Sequence, residues 1–164
     1  MSVLQPFTEP SQWAYGRGYC AAARDTFNNT AGGAEAVAGA VSGSITAGEA
    51  LGMTVATTAV KITSNVAGWY LVTFVGGASQ IDAPEENFIL SLYKTPSGGA
   101  AALITGATGT VQGVTENAAA IIGVSVSAVV FLASGDAVTL YGENASTDEA
   151  DVAVTGSLTA VRVR

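Results

Sequence analysis

From Thr54 to the C-terminal Arg164, runs of apolar and Thr residues recur at roughly 8–15-residue spacing, each closed by Gly, Pro, Asn or Asp. That rhythm leaves no stretch for a long helix. Strands are expected near Val55–Thr63, Gly68–Val75, Asn87–Tyr93, Ala101–Val111, Ala120–Leu132, Ala137–Tyr141 and Val152–Val163. Ser64-Asn65, Gly76-Gly77, Thr95 to Gly99, Gly113 to Asn117, Ser134-Gly135-Asp136 and Gly142 to Asp151 supply the turns between them. Strands without crossover helices are normally antiparallel, so the expected fold is all-β, an antiparallel β-sandwich, and not a nucleotide-binding α/β sheet. Composition agrees: only 12% of residues are charged and six are Lys or Arg, too few for the solvent faces of amphipathic helices. A chain of 164 residues holds one core.

Two of these strands carry different burial patterns. In Ile122, Val124, Val126, Ala128, Val130 and Leu132 one face is wholly apolar, while Gly123, Ser125 and Ser127 on the other are small or polar. That is the alternation of a strand lying over a core. Between Trp69 and Val75 both faces are read as apolar: Trp69, Leu71, Thr73 and Val75 on one, Tyr70, Val72 and Phe74 on the other. An antiparallel sandwich strand ordinarily keeps one face in water. With no helix available as a cover, a neighbouring subunit is the economical one, since large exposed apolar patches mark contact sites.

The first 30 residues differ from the rest of the chain. Phe7, Trp13, Tyr15, Arg17 and Tyr19 gather aromatic and cationic side chains around Gly16 and Gly18. Such residues serve as interface anchors, and they equally fill the end of a core; both readings stand on sequence alone. Residues 31–53, mostly Ala, Gly, Val and Ser, fit a loose strand pair, a short helix near Glu35 to Val41, or an ordered arm. The division expected is an extended N-terminal arm or docking segment over residues 1–40 and a sandwich over residues 41–164.

Four segments then resemble one family in its order. Ile62 to Phe74 looks like a strand, a turn and a Gly-x-Tyr strand; Phe88 to Tyr93 is similar to the next strand; Val130 to Leu140 resembles a Leu-x-x-Gly-Asp-x-Val-x-Leu hairpin; Val154 to Leu158 resembles a closing strand. Together they resemble the trimeric jelly rolls of the complement globular head and the tumour necrosis factor ligands. The resemblance implies two antiparallel sheets in a jelly roll, an inner sheet packed about a threefold axis, and a homotrimer whose interface takes Trp69, Tyr70, Val72 and Phe74. No collagen-like Gly-x-y stalk precedes the jelly roll. Stalkless versions are similar to decoration, or cement, proteins and head fibres of bacteriophages. That implies a virion protein on the outer capsid surface, bound to the major capsid protein through Phe7, Trp13, Tyr15, Arg17 and Tyr19.

Several chemistries are disfavoured. The chain has no histidine, which removes His-based triads, proton relays and His-ligated metals. Glu85-Glu86 and Asp148-Glu149 with Asp151 lack calcium-loop spacing and sit in turn-rich segments, so they are expected to be solvated charges. Pro96-Ser97-Gly98-Gly99 precedes a strand and lacks the Gly-Lys-Ser ending of a phosphate cradle. Asp136 is expected to shape its hairpin. Cys20, the single cysteine, cannot form a disulfide within the chain. A net charge of -7 with unclustered cations argues against nucleic acid, and the apolar runs are too short for a membrane helix. No cofactor, no metal and no enzymatic activity are expected. The alternative to a decoration protein is a ligand- or carbohydrate-recognition module of a fibre or spore-surface layer.

Overall fold

Residues 13–27, 39–41, 45–80, 86–114, 121–144 and 150–164 are described by the computed structural model, and every regular element among them is a strand. In chain order these are β1 (Tyr15–Phe27), β2 (Gly39–Ala40), β3 (Ile45–Leu51), β4 (Met53–Val55), β5 (Lys61–Ser64), β6 (Gly68–Gln80), β7 (Glu86–Thr95), β8 (Ala102–Val114), β9 (Ile122–Leu132), β10 (Ala137–Asn144) and β11 (Ala150–Arg162). One sheet has the order β3-β1-β11-β6-β9. The other has the order β4-β5-β10-β7-β8, with β2 added on β10 beyond the end of β5. All pairs are antiparallel. The architecture is the expected jelly-roll sandwich.

Strand alternation builds the core. Tyr70, Val72 and Phe74 of β6, with Leu158 and Ala160 of β11, point inward from the first sheet; Phe88, Leu90 and Leu92 of β7, with Val138 and Leu140 of β10, point inward from the second. Each is essentially inaccessible to water, and burial of such a side chain contributes about 1.5–3 kcal/mol. The one polar group among them is satisfied: the Tyr70 hydroxyl donates to the Val66 carbonyl at 2.5 Å and lies 3.1 Å from Ser64 Oγ. Along β9 the expected inward face is as read, but only Val126 and Leu132 are fully buried because β9 is an edge strand.

Three expectations are corrected. The segment assigned to an extended arm contributes β1 from Tyr15 onward, bonded on one side to β11 and on the other to β3, and Gly39–Ala40 pair with β10; the boundary at residue 40 therefore cuts through the sandwich. Val55–Thr63 is two strands, since β4 ends at Val55 and β5 begins at Lys61. Gly76-Gly77 is no turn: β6 runs through it, with Gly76 opposite Gly156 and Gly77 opposite Gly123. A side chain at Gly76 would strike the backbone of β11 and the Phe74 ring, so these glycines permit close strand approach without reversing the chain. Of residues 31–53, Gly39–Ala40 and β3 are strands; residues 35–38 lie outside the described residues.

Gly16 and Gly18 now have a reason. They face inward between outward-facing Tyr15, Arg17 and Tyr19, and a Cβ on Gly18 would stand 2.9 Å from Val55 Cγ1. The sheets approach closely there.

The β9–β10 hairpin is held by a clasp. Asp136, 5% exposed, accepts the Ser97 amide on Oδ1 at 3.0 Å and the Ala133 amide on Oδ2 at 3.0 Å. Lys94 Nζ lies 2.9 Å from Oδ2 and also donates to the Phe131 carbonyl at 2.8 Å. One carboxylate thus ties β9, β10 and the β7–β8 turn together. The hydrogen bond from Lys94, opposed by desolvation and reinforced by the two amides, holds the Asp136 carboxyl below its ordinary value of 3.8.

This packing sets two expected outcomes. Gly18→Val should destabilise the fold by about 1–3 kcal/mol in urea titration, because the sheets must part to admit it. A depressed folded pKa gives stability that is complete above the unfolded carboxyl value and lost as pH falls through the folded one. Asp136→Asn should therefore cost about 2 kcal/mol at neutral pH, and the gap from the parent chain should close as unfolding is measured progressively below pH 3.8.

Candidate functional site

The outward face of the first sheet carries apolar side chains that the other described residues leave uncovered. Ladder register places Leu51, Tyr15, Val161, Leu71 and Val129 side by side across all five strands. The next rung outward holds Trp69 opposite Phe131, and Trp13 and Val163 continue it, with the Val163 amide bonded to the Trp69 carbonyl at 2.8 Å and the Arg162 amide to the Ala14 carbonyl at 2.8 Å. Twelve large apolar side chains are exposed among the described residues, and eight of them stand in these two rungs. Exposed apolar surface is common when scattered; gathered in this way it marks a contact surface.

Polarity changes one rung further in. Arg17, Thr159, Thr73 and Ser127 lie across β1, β11, β6 and β9. Arg17 Nε donates to Ser157 Oγ at 3.3 Å, and its guanidinium lies 4.5 Å from the centre of the Tyr19 ring. Tyr19, Ser157, Val75 and Ser125 make the following rung. The face is greasy at one end and hydroxyl-rich toward the middle.

Its two halves differ in relief. On the β6–β9 side Trp69 and Phe131 pack edge to face, ring centres 5.8 Å apart and planes at 67°, and both rings are nearly half exposed. Across the β3, β1 and β11 side lies an open hollow of about 740 Å³, walled by Trp13, Tyr15, Arg17, Tyr19, Glu49 and Arg162.

The expected site residues are thereby sorted. Trp69 is on the outward face. Tyr70, Val72 and Phe74 point the other way and have no accessible surface, so they hold the sandwich together and offer a partner nothing to touch; the outward set on β6 is Trp69, Leu71 and Val75. Trp13, Tyr15, Arg17 and Tyr19 share this same face and wall the hollow. Phe7 lies outside the described residues. Val129, Phe131 and Val161 are not singled out by sequence reasoning, although the change from Ser125 and Ser127 to Val129 and Phe131 along one face of β9 is a readable signal.

For catalysis the described residues offer little. They contain no group of three or more His, Cys, Asp or Glu side chains placed to hold a metal, and Asp136, the buried carboxylate, is committed to backbone amides and Lys94. Glu85, Asp148 and Glu149 lie outside the described residues.

No family model matches the chain, and no curated protein matches it in sequence. Solved structures do. Eiger TNF from S. frugiperda superposes with a TM-score of 0.63 over 93% of this chain and 93% of that one, at 10% identity. Crystal structures of murine APRIL superpose with TM-scores of 0.58 and 0.57 over 92% of this chain and 99% of theirs, at 10% and 12% identity. At such identity the likeness is one of fold, and the fold is the tumour necrosis factor-like jelly roll.

Trp13 and Trp69 are the only tryptophans, and both belong to the greasy rung. If another molecule covers that rung, dilution should shift indole emission to longer wavelength and raise acrylamide quenching. Emission independent of concentration, with quenching that of free indole throughout, would show the rung open to water at every concentration.

Proposed function

We propose that this chain is a non-enzymatic structural module that assembles as a homotrimer through the outward face of its first sheet, and that it serves as a decoration protein on the outside of a bacteriophage head. The observation that carries self-association is the pair of apolar rungs. Every square ångström of apolar area they remove from water stabilises an assembly by roughly 25 cal/mol before the costs of association. Threefold closure is supported by the tumour necrosis factor-like fold. Decoration of a shell, through the major capsid protein, is supported by the absence of histidine and the low charge. Three identical footprints on one body would add avidity without further contacts.

Placement of Trp13, Tyr15, Arg17 and Tyr19 on the apolar face bears on how shell binding would work. A surface used between subunits is not free for a capsid, so shell docking falls to the segment ahead of Trp13, which includes Phe7. Removing residues 1–20 would destroy half of β1, whereas removing residues 1–12 leaves every described strand intact.

A second reading has one specific observation in its favour. Tyr93 and Tyr141 stack on the outer surface of the second sheet, ring centres 4.1 Å apart and planes at 23°, near the Ser91–Thr108 hydroxyl pair at 3.1 Å. Flat aromatic surface beside hydroxyls suits a sugar ring, as in a carbohydrate-recognition module of a fibre or spore layer. A specific glycan-array hit abolished by Tyr93→Ala would put that reading first.

Native mass spectrometry should give three times the mass of 16.3 kDa, and Leu71→Lys should reduce it to a single chain with unchanged far-UV circular dichroism. The chain lacking residues 1–12 should remain trimeric and no longer sediment with phage heads. A parent chain that stays monomeric at high concentration overturns the assembly; a truncated chain that still sediments with heads overturns the docking role.

A further inference from the structure

We infer that the outer surface of the second sheet takes a sugar acid, a pyranose whose ring lies against Tyr141 and whose carboxylate meets Lys61. This rests on the carbohydrate-recognition reading and names the class of sugar and its pose. Ladder register places the groups. Ala40, Tyr141 and Ser91 form one outward rung across β2, β10 and β7. Lys61, Thr139, Tyr93 and Leu103 form the next, across β5, β10, β7 and β8.

The stacked tyrosines leave one ring face for a ligand. Ser91 and Thr139 face outward by this register and are nonetheless buried, with the rings of Tyr93 and Tyr141 beside them on both strands. Each ring gives one face to the other. Leu103 stands next to Tyr93 on the side away from Tyr141, because β8 and β10 lie on opposite sides of β7. Tyr141 has Ala40 on its far side, and a methyl group leaves room against the ring. An aromatic face with a hydroxyl at its tip suits the C–H face of a pyranose and one of its ring hydroxyls.

Charge selects among sugars. Along the outward face Lys61 lies two residues from the level of Tyr141 in one direction, and Glu143 lies two residues from it in the other. Their levels are about 13 Å apart at about 3.3 Å per residue, a gap that two long side chains narrow to the length of one substituted ring. Lys94 is committed to Asp136, whereas Lys61 makes no ion pair among the described residues. Its ammonium is placed to donate to a carboxylate, and Glu143 to accept from hydroxyls at the other end of the ring. The net charge of -7 repels densely sulfated chains, so the anion that fits is the single carboxylate one lysine can hold. The apolar rungs lie on the other sheet, so self-association through them does not use these residues.

The test titrates the full chain with the methyl glycosides of glucuronic acid, N-acetylneuraminic acid and glucose, read by saturation-transfer NMR and calorimetry. One of the two acids should bind about fivefold more tightly than the neutral glucoside at low salt, and the stronger acid identifies the source of the carboxylate. Lys61→Gln should remove that preference and leave glucoside binding unchanged. Ala40→Leu, with unchanged far-UV circular dichroism, should abolish binding of all three. Equal binding of acids and glucoside, or a preference that survives Lys61→Gln, overturns the inference and leaves carbohydrate recognition standing, as does a glycan-array hit on neutral sugars with neither acid bound. No binding of any of the three, with a blank glycan array, brings down the underlying reading as well.

Discussion

A β-strand has two faces, and a two-layer sandwich hides one of them. The first sheet is apolar on both at its Trp69 end, and the rest of the molecule is arranged around that imbalance. Tyr70, Val72 and Phe74 have taken the internal face completely. What remains outside is a band five strands wide that the other described residues do not cover. With charged residues at 12%, the chain has few groups with which to ring such a band in polarity, so the exposed area is a standing cost to the monomer.

The end of the sandwich that bears this band is fastened by side-chain bonds. Asp136 joins two turns through backbone amides, and Lys94 bridges from that carboxylate to the carbonyl of Phe131, a member of the outermost apolar rung. Tyr70, on the strand that carries Trp69, anchors its hydroxyl at Val66. An association surface loses less conformational entropy when its anchor side chains stand on a backbone already fixed, and Phe131 is fixed by bonds on both its strand and its hairpin.

Much of this is readable without the fold. Alternation in Ile122 to Leu132 and the doubled apolarity of Trp69 to Val75 give the layer and the surplus face, because period-two patterning is a local property of strands. Gly-Asp at 135–136 gives its hairpin because turn chemistry is local too. The assignment of faces is another matter: Tyr70 and Trp69 are equally apolar neighbours, and only the inter-sheet packing of Phe88, Leu90 and Leu140 decides which of them turns inward. Likewise, the glycines at 16 and 18 resemble arm residues until Val55 and Met53 are seen to press against them, and Gly76-Gly77 resembles a turn until Gly156 and Gly123 stand opposite. Those are long-range contacts, and a linear pattern does not hold them. The contribution of Val129, Phe131 and Val161 needs the ladder register for the same reason.

Specificity is written in the rung that is not apolar. A face greasy from end to end could slide on its neighbour by two residues at little cost, since strand side chains repeat with that period. Arg17, Thr159, Thr73 and Ser127 would oppose this in the proposed assembly: displaced by one rung, Leu71, Val129 and Val161 of a neighbouring copy would meet hydroxyls and a guanidinium, stranding polar groups against apolar side chains. In register, the apolar rungs would meet apolar surface, and the hydroxyl rung would keep company with hydroxyls and water, as polar margins of interfaces do. On the proposed assembly the apolar rungs would supply the attraction and the polar rung would fix where it is satisfied, so a surface built from common side chains could still specify one arrangement.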